Sequence, residues 1–460
     1  MSHYHFIGIG GSGMSGLAKV LLEMGHRVSG SDLAASANAR KLAEMGAEVR
    51  VGHRAENLTG EDGKLPDVVV VSSAIPAFNE ELLAAQRHRL PVKRRAELLA
   101  EIMRSGRAVA VAGCHGKTTT SSMIALVFEK GGLSPTFVVG GEVRDLGTNA
   151  ALGSGRYVVA EADESDGSFL RLHPTIAVVT NIEADHLDHY GSLERIVAAF
   201  EEFVRLVPPD GLAVLGYDNA WVRHVGGRYG GRKVTYALDE SADLTTTAIS
   251  FHGPGASCRV LLHRKELGVL RLSVPGRHNV QNALAAVAVG LDAGLSFETI
   301  AEALRGFSGA ERRFQRVGEA HGVTVVDDYA HHPTEVAATL RAARLQNYDR
   351  VLCVFQPHRF TRTQHLAKEF GPAFAAADRL FLMDIYPAGE PPIPGVSGET
   401  ILNEVRGAGY HHAEYIPRRE DLIDALVRTV RPGDLVLTVG AGNVTTLGPE
   451  FLRRLEAARG

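Results

Sequence analysis

Apolar residues along this chain follow two rhythms that keep trading places. One is a short strand-like run, strongly apolar in His5 to Ile9 and in the Asp67-Val68-Val69-Val70-Val71 part of Pro66 to Ser72, and weaker in His26 to Ser31, where Val28 carries it. The other is a helical spacing, as over Met14 to Met24. A strand covered on both faces reads as an unbroken apolar run, and strands that alternate with helices assemble into parallel sheets. Residues 1–104 are therefore expected to form one α/β unit. The alternation restarts near Arg107, with strands expected at Ala108 to Ala112, Tyr157 to Ala160 and Thr175 to Thr180 and helices at Thr118 to Lys130 and Asn279 to Leu291. Phe297 to Leu304 closes this second unit, and Gly306 to Gly309 reads as a linker. A third α/β unit follows, with strands at Val323 to Val326, Val351 to Phe355, Leu380 to Met383 and Leu435 to Val439. The expected fold class is α/β in three domains, 1–104, 105–308 and 309–460, and a length of 460 residues agrees with more than one core. Outside these elements the one biased segment is the Pro-rich turn Pro387 to Pro394.

Composition then narrows the classes. A net charge of -4 without any block of like charges leaves no electrostatic footprint for nucleic acid or an acidic membrane surface. Cys114, Cys258 and Cys353 stand far apart in no C-x-x-C spacing, which argues against a disulfide framework or a cysteine zinc site and fits a reducing cytosol. The chain enters an apolar run at Tyr4 without a basic leader, and no segment reaches the roughly 18 uncharged apolar residues of a membrane helix. A cytoplasmic protein without membrane insertion is expected.

The chemistry is concentrated at strand ends. Ala112-Gly113-Cys114-His115-Gly116-Lys117-Thr118 joins a β-branched run to a helix start. Amides of such a turn surround a triphosphate, the lysine reaches its outer oxygens and the threonine hydroxyl its Mg²⁺. The usual first glycine of that pattern is replaced here by Val111, with Gly113 coming two residues later. Gly8-Ile9-Gly10-Gly11-Ser12-Gly13 forms a second diphosphate loop, and Asp32 ends the next strand; the pair suits either a dinucleotide or a UDP-sugar. Glu161 ends a strand and is placed for Mg²⁺, and His186 in Asn181-Ile182-Glu183-Ala184-Asp185-His186 offers a second cation ligand. In the third unit Asp327-Asp328-Tyr329-Ala330-His331-His332 ends one strand, and Gln356-Pro357-His358-Arg359-Phe360-Thr361-Arg362 ends the next. Their guanidinium groups suit a carboxylate or phosphate, while the histidine pair with Asp327 leaves a metal site open as an alternative. Cys114, beside Lys117 at a helix start, is expected to favour its thiolate.

HFIGIGGSGMSGLA, AVAGCHGKTTT, EADESDGSF, TNIEADHLDHY, GRHNVQNALAA, FSGAERRFQ, DDYAHHPTE and QPHRFTRT, in this order over the whole chain, resemble the bacterial muramyl ligases, and their alanine-adding branch most closely. The resemblance implies Rossmann-like N- and C-terminal domains, for a UDP-sugar and an amino acid, around a central P-loop ATPase. It implies that Gly113, Cys114, His115, Gly116, Lys117, Thr118, Thr119, Asn279, Asn282, Arg313 and Asp327 bind ATP. Thr118 and Glu161 would hold one Mg²⁺ or Mn²⁺ and His186 a second, and Gly10, Gly11, Ser12, Asp32 and Ser73 the UDP-sugar. Tyr329, His331, Arg359 and Arg362 would line the amino-acid side, with Lys117, His186, His331, Arg359 and Arg362 taking part in catalysis. Cys114 stands where the family usually has threonine, and no lysine lies between Lys130 and Lys233 to serve as the carbamylated bridge of sister ligases. The implied reaction joins L-alanine to the lactyl carboxylate of UDP-N-acetylmuramate through an acyl phosphate made from ATP, and an oligomer is compatible with the sequence. A tripeptide-recycling ligase, a dehydrogenase and a nucleotide-gated binding protein are the alternatives.

Overall fold

The computed structural model describes residues 1–60 and 62–459. Three sheets carry the strands. The first contains β1 (His3–Ile7), β2 (Arg27–Asp32), β3 (Glu48–Val51), β4 (Val68–Val71) and β5 (Val92–Arg94), in the order β3-β2-β1-β4-β5 with every neighbour parallel. Chain order reverses between β1 and β4, and a crevice opens at the carboxyl ends of strands at such a point.

The second sheet contains β6 (Arg107–Ala112), β7 (Thr136–Val143), β8 (Thr148–Ala151), β9 (Tyr157–Glu161), β10 (Ile176–Val179), β11 (Leu212–Gly216), β12 (Lys233–Tyr236), β13 (Leu244–His252), β14 (Gly255–Leu262) and β15 (Lys265–Leu272). Their order is β15-β14-β13-β12-β11-β10-β6-β9-β7-β8. Central β6 and β10 are buried almost throughout, as their apolar runs require. The third sheet contains β16 (Gln315–Ala320), β17 (Val323–Asp328), β18 (Arg350–Phe355), β19 (Arg379–Leu382), β20 (Ala413–Tyr415) and β21 (Asp434–Val439), in the order β16-β17-β21-β18-β19-β20. Phe355 packs there against Phe370 and Phe374, all three fully buried; truncating one to alanine costs about 3–5 kcal/mol in a packed core.

The described residues cluster into two compact units. One comprises Met1–Thr245, Leu261–Lys265 and Asn282–Leu304, the other Thr246–Val260, Glu266–Gln281 and the chain from Arg305 onward. The division passes through β13, β14, β15 and the helix Arg277–Asp292.

Three features depart from the sequence-based pattern. The hairpin β7–β8 and the strands β13 to β15 were not expected, and β16 runs antiparallel to β17. β13 reads LTTTAISFH with scattered burial, so its residues show neither an unbroken apolar run nor a clean alternation. No helix among the described residues is long and apolar enough to cross a membrane.

Candidate functional site

The turn after β6 is stitched to the end of β10. His115 N–H donates to Asn181 Oδ1 at 2.8 Å, and its carbonyl accepts from Thr180 Oγ1 at 2.6 Å and Asn181 Nδ2 at 2.9 Å. Gly113 has φ +137°, and a Cβ there would lie 2.0 Å from Thr180 Oγ1, so only glycine lets the turn close. The helix Lys117–Lys130 starts next, with Thr118 and Thr119 buried, no side-chain cap at Gly116 and no acid in its first turn. Its amino-terminal donors and positive dipole end suit a phosphate. Asn282 is buried and holds its Oδ1 where a Cβ on Gly116 would come within 2.6 Å.

Lys117 Nζ donates to Gly113 O at 2.7 Å and to Glu164 Oε1 at 2.9 Å. Burial alone would lower the lysine's pKa, but the Glu164 and Asp163 carboxylates outweigh it and keep the ammonium charged. Burial pushes Glu164 up to about 7 against the pull of Lys117. Its other oxygen, Oε2, is buried without a hydrogen-bond partner among the described residues. Glu161, paired with Val111 across β9 and β6, accepts from Gly140 N–H at 2.6 Å and Ser121 Oγ–H at 3.3 Å. Ser121 stands one turn beyond Thr118 on the same helix. His186 has a left-handed φ of 53° before the short helix Leu187–Tyr190, and its Nε2 lies 3.6 Å from Asp185 Oδ2 and 3.9 Å from Glu164 Oε1. Hydroxyl and carboxylate oxygens are the donors Mg²⁺ prefers, and imidazole extends the set toward Mn²⁺. A buried carboxylate oxygen without a partner is costly, and the ammonium of Lys117 on the other oxygen offsets part of that cost.

Cys114 does not behave as its local sequence suggested. Burial pushes its pKa well above the ordinary thiol value, Glu164 adds to the rise, and the lowering by Lys117 is smaller. Its Sγ accepts from Glu183 N–H at 3.2 Å. The thiol form is favoured, which overturns the expected thiolate: a buried sulfur gains less from a nearby cation than it loses by leaving water.

The first loop is built differently. Gly8 and Ile9 N–H groups donate to Ser31 O, and Gly10 N–H donates to Asp32 Oδ2 at 2.8 Å. A Cβ on Gly10 would come 2.3 Å from Ser36 Oγ. Gly11 precedes the helix Ser12–Glu23, which begins at Ser12, and Ser73 lies exposed in the turn after β4. Gly8 to Gly13 follow β1, Ser73 follows β4 and Asp32 ends β2, and no lysine or arginine stands in Gly8 to Gly13.

In the second unit Asp327 accepts from Arg312 Nε at 3.0 Å, Thr438 Oγ1 at 2.7 Å and Thr445 Oγ1 at 3.0 Å. Arg312 and Arg313 lie over the Tyr329 ring at 4.9 and 5.2 Å. His331 Nδ1 is 3.0 Å from Tyr329 O, whereas His332 caps the helix Pro333–Arg344 by accepting from Thr334 N–H. Within this unit Asp327, His331 and His332 thus make three different sets of bonds. Arg359 adopts φ +70° before the helix Phe360–Ala373 and bonds Glu390 through Nε. Arg362 is buried with Nη1 3.3 Å from His358 Nδ1; burial first, then Arg362 and Arg359, lower His358 to about 4 and keep it neutral. Asn279 Nδ2 donates to Pro275 O at 2.6 Å.

Family models match nearly the whole length: the Mur ligase family catalytic domain over residues 3–107, the Mur ligase middle domain over 111–290 and the Mur ligase glutamate ligase domain over 312–442. The chain belongs to the Mur ligase family. A UDP-N-acetylmuramate--L-alanine ligase of Pelotomaculum thermopropionicum is 51% identical over 455 residues, covering 99% of this chain and 98% of that relative. One of Geobacter sp. is likewise 51% identical, over 458 residues with the same coverage. The crystal structure of the UDP-N-acetylmuramate-alanine ligase MurC of Thermotoga maritima superposes with a TM-score of 0.84 at 30% identity, covering 100% of both chains. The murein peptide ligase of Psychrobacter arcticus gives 0.74 at 25% identity, with 99% of each chain covered.

Sequence reasoning had not singled out four residues of this Mur ligase: Glu164 on Lys117, Asn181 on the phosphate turn, Arg312 on Asp327 and Glu390 on Arg359. Asn181 and Glu164 carried a usable signal, because each stands just past a strand end beside the turn. Glu390 carried none, since only folding brings its loop to Arg359.

Proposed function

We propose that this Mur ligase joins L-alanine to the lactyl carboxylate of UDP-N-acetylmuramate at the expense of ATP, giving UDP-N-acetylmuramoyl-L-alanine, ADP and phosphate in the cytoplasmic assembly of peptidoglycan precursors. The observation that carries this reading is the half-identity, over practically full length, to relatives that bear the name of that reaction. The division into domains 1–104, 105–308 and 309–460 is retained, for sugar nucleotide, ATP and amino acid in turn.

A carboxylate is a poor electrophile, so it must first become an acyl phosphate. Gly10, Gly11, Ser12, Asp32 and Ser73 hold the sugar nucleotide, and backbone amides do most of that work. The lactyl carboxylate attacks the γ-phosphate in line, while Lys117 and the amides of Gly113 to Thr119 neutralise charge on the phosphate oxygens. Asn279, Asn282, Arg313 and Asp327 contact the nucleoside. Thr118, Glu161 and His186 would hold Mg²⁺, which supplies further charge neutralisation on the phosphates. Arg359 and Arg362, beside Tyr329, receive the carboxylate of L-alanine. Its neutral amine attacks the acyl carbon, the tetrahedral intermediate collapses to amide and phosphate, and the amine proton passes to His331, or to His186 when that imidazole holds no cation.

Phosphate release with ATP and Mg²⁺ tests the reading, each amino acid and a muramyl tripeptide being offered in turn. Release should require both UDP-N-acetylmuramate and L-alanine and be indifferent to NAD. Equal release without the sugar nucleotide, or with the tripeptide alone as acceptor, would overturn it.

A further inference from the structure

The Pro-rich turn has no task in the reaction as described, yet it reaches into the amino-acid site. Glu390, inside that turn and mostly buried, accepts three hydrogen bonds: from Arg359 Nε at 2.5 Å, Thr361 N–H at 3.0 Å and Thr361 Oγ1 at 2.7 Å. The main chain adds a second connection. Arg359 N–H donates to Tyr386 O at 2.9 Å, and Tyr386 N–H donates to Pro357 O at 2.8 Å. Thr363 Oγ1 holds the Arg359 carbonyl at 2.9 Å.

Arg359 needs this support. Its φ of +70° with ψ 137° is a region that residues with side chains avoid and keep only where neighbours over-determine it. The root of the side chain is thus set by the bonds to Tyr386 and Thr363, and its head by the Glu390 carboxylate. An arginine has many rotamers to lose on meeting a ligand, so one already fixed at both ends binds a carboxylate at a lower entropic cost. Bonding at Nε also sets the plane of the guanidinium fork, on which bidentate recognition depends.

We propose that Glu390 is a positioning residue for the amine acceptor: it fixes the guanidinium of Arg359, and through it the Pro-rich turn sets the preference for an acceptor bearing an α-carboxylate. The inference rests on the amino-acid role proposed above for Arg359.

Steady-state kinetics of the wild-type chain, Glu390→Gln, Glu390→Asp and Thr361→Val test it, with L-alanine and L-alaninamide as acceptors. For Glu390→Gln the KM for L-alanine should rise about tenfold with kcat within about threefold, the loss of one well-aligned charge-assisted hydrogen bond. The KM values for ATP and the sugar nucleotide should hold. Alaninamide has no carboxylate for Arg359 to read, so the preference for alanine over its amide should shrink by the same factor. Glu390→Asp should restore part of the preference, and Thr361→Val, which keeps the charge, should shift it less in the same direction. Equal losses on both acceptors, or a fall in kcat at constant KM, would overturn the proposal by reducing Glu390 to a brace for the loop. A wild-type chain that takes a peptide in place of alanine would defeat the function reading alone; Glu390 would then stand or fall on the same KM split measured with that peptide.

Discussion

Lys117 and Arg359 are each held by a glutamate, but the two carboxylates live under opposite conditions. Glu164 is almost wholly buried, its pKa is pushed up to about 7, and one of its oxygens has no hydrogen-bond partner among the described residues. Glu390 is also pushed upward by burial, but three bonds from Thr361 and Arg359 more than offset this and leave it below the ordinary carboxylate range. An under-solvated carboxylate is a poor long-term partner, and a lysine on a flexible stem can leave it for phosphate oxygens. A satisfied carboxylate on the Nε of a planar guanidinium is a fixture. The first pair is therefore built to exchange, the second to stay.

Removing the exchanging cation should produce the largest effect. Lys117→Ala is expected to lower turnover by about 10³-fold or more, since it removes charge stabilisation that grows in the transition state. Titration calorimetry should show UDP-N-acetylmuramate binding nearly intact, because the Gly8 to Gly13 loop is built without that lysine. Loss of sugar-nucleotide binding would mean the two loops have been assigned the wrong ligands.

Removing the acid of the same pair should do much less. If Glu164 only keeps Lys117 until phosphate arrives, Glu164→Gln should leave kcat within about fivefold and bind ATP as tightly as the wild type or better, there being less attraction to surrender. A collapse as deep as that of Lys117→Ala would place Glu164 in the chemistry and erase the contrast with Glu390.

What was legible in the sequence follows from range. The phosphate turn could be read because its strand, glycines, lysine and helix start are contiguous, and the resulting helix, Lys117–Lys130, differs from the expected one by a single residue. Glu161 was legible because β9 ends on it. The partner of Lys117 lies 47 residues away, and that of Arg359 lies 31 away across a connecting loop. Neither separation follows a helical or strand period, so no pattern along the chain announces them. Cys114 shows the opposite failure: its neighbours in sequence were read correctly, but burial was not visible and burial decides its ionisation.

That thiol provides the smallest and sharpest probe. All three cysteines are buried, Cys258 is pushed up to about 11 by burial, and Cys114 and Cys353 are raised as well. Maleimide should therefore label the native chain slowly at all three, and quickly only in denaturant, since the thiolate is the reactive form. Glu164 is the second cause of the rise at Cys114, after burial. Glu164→Gln should accordingly speed labelling of Cys114 by about threefold to tenfold without touching Cys353, as expected when one like charge is removed near a thiol. Glu390→Gln should change neither. Peptide mapping that finds Cys114 labelled within seconds in the wild type, and protected by Mg-ATP, would show that the phosphate turn opens to water; Lys117 would then be solvated rather than held, and the distinction between an exchanging pair and a fixed one would lose its physical basis.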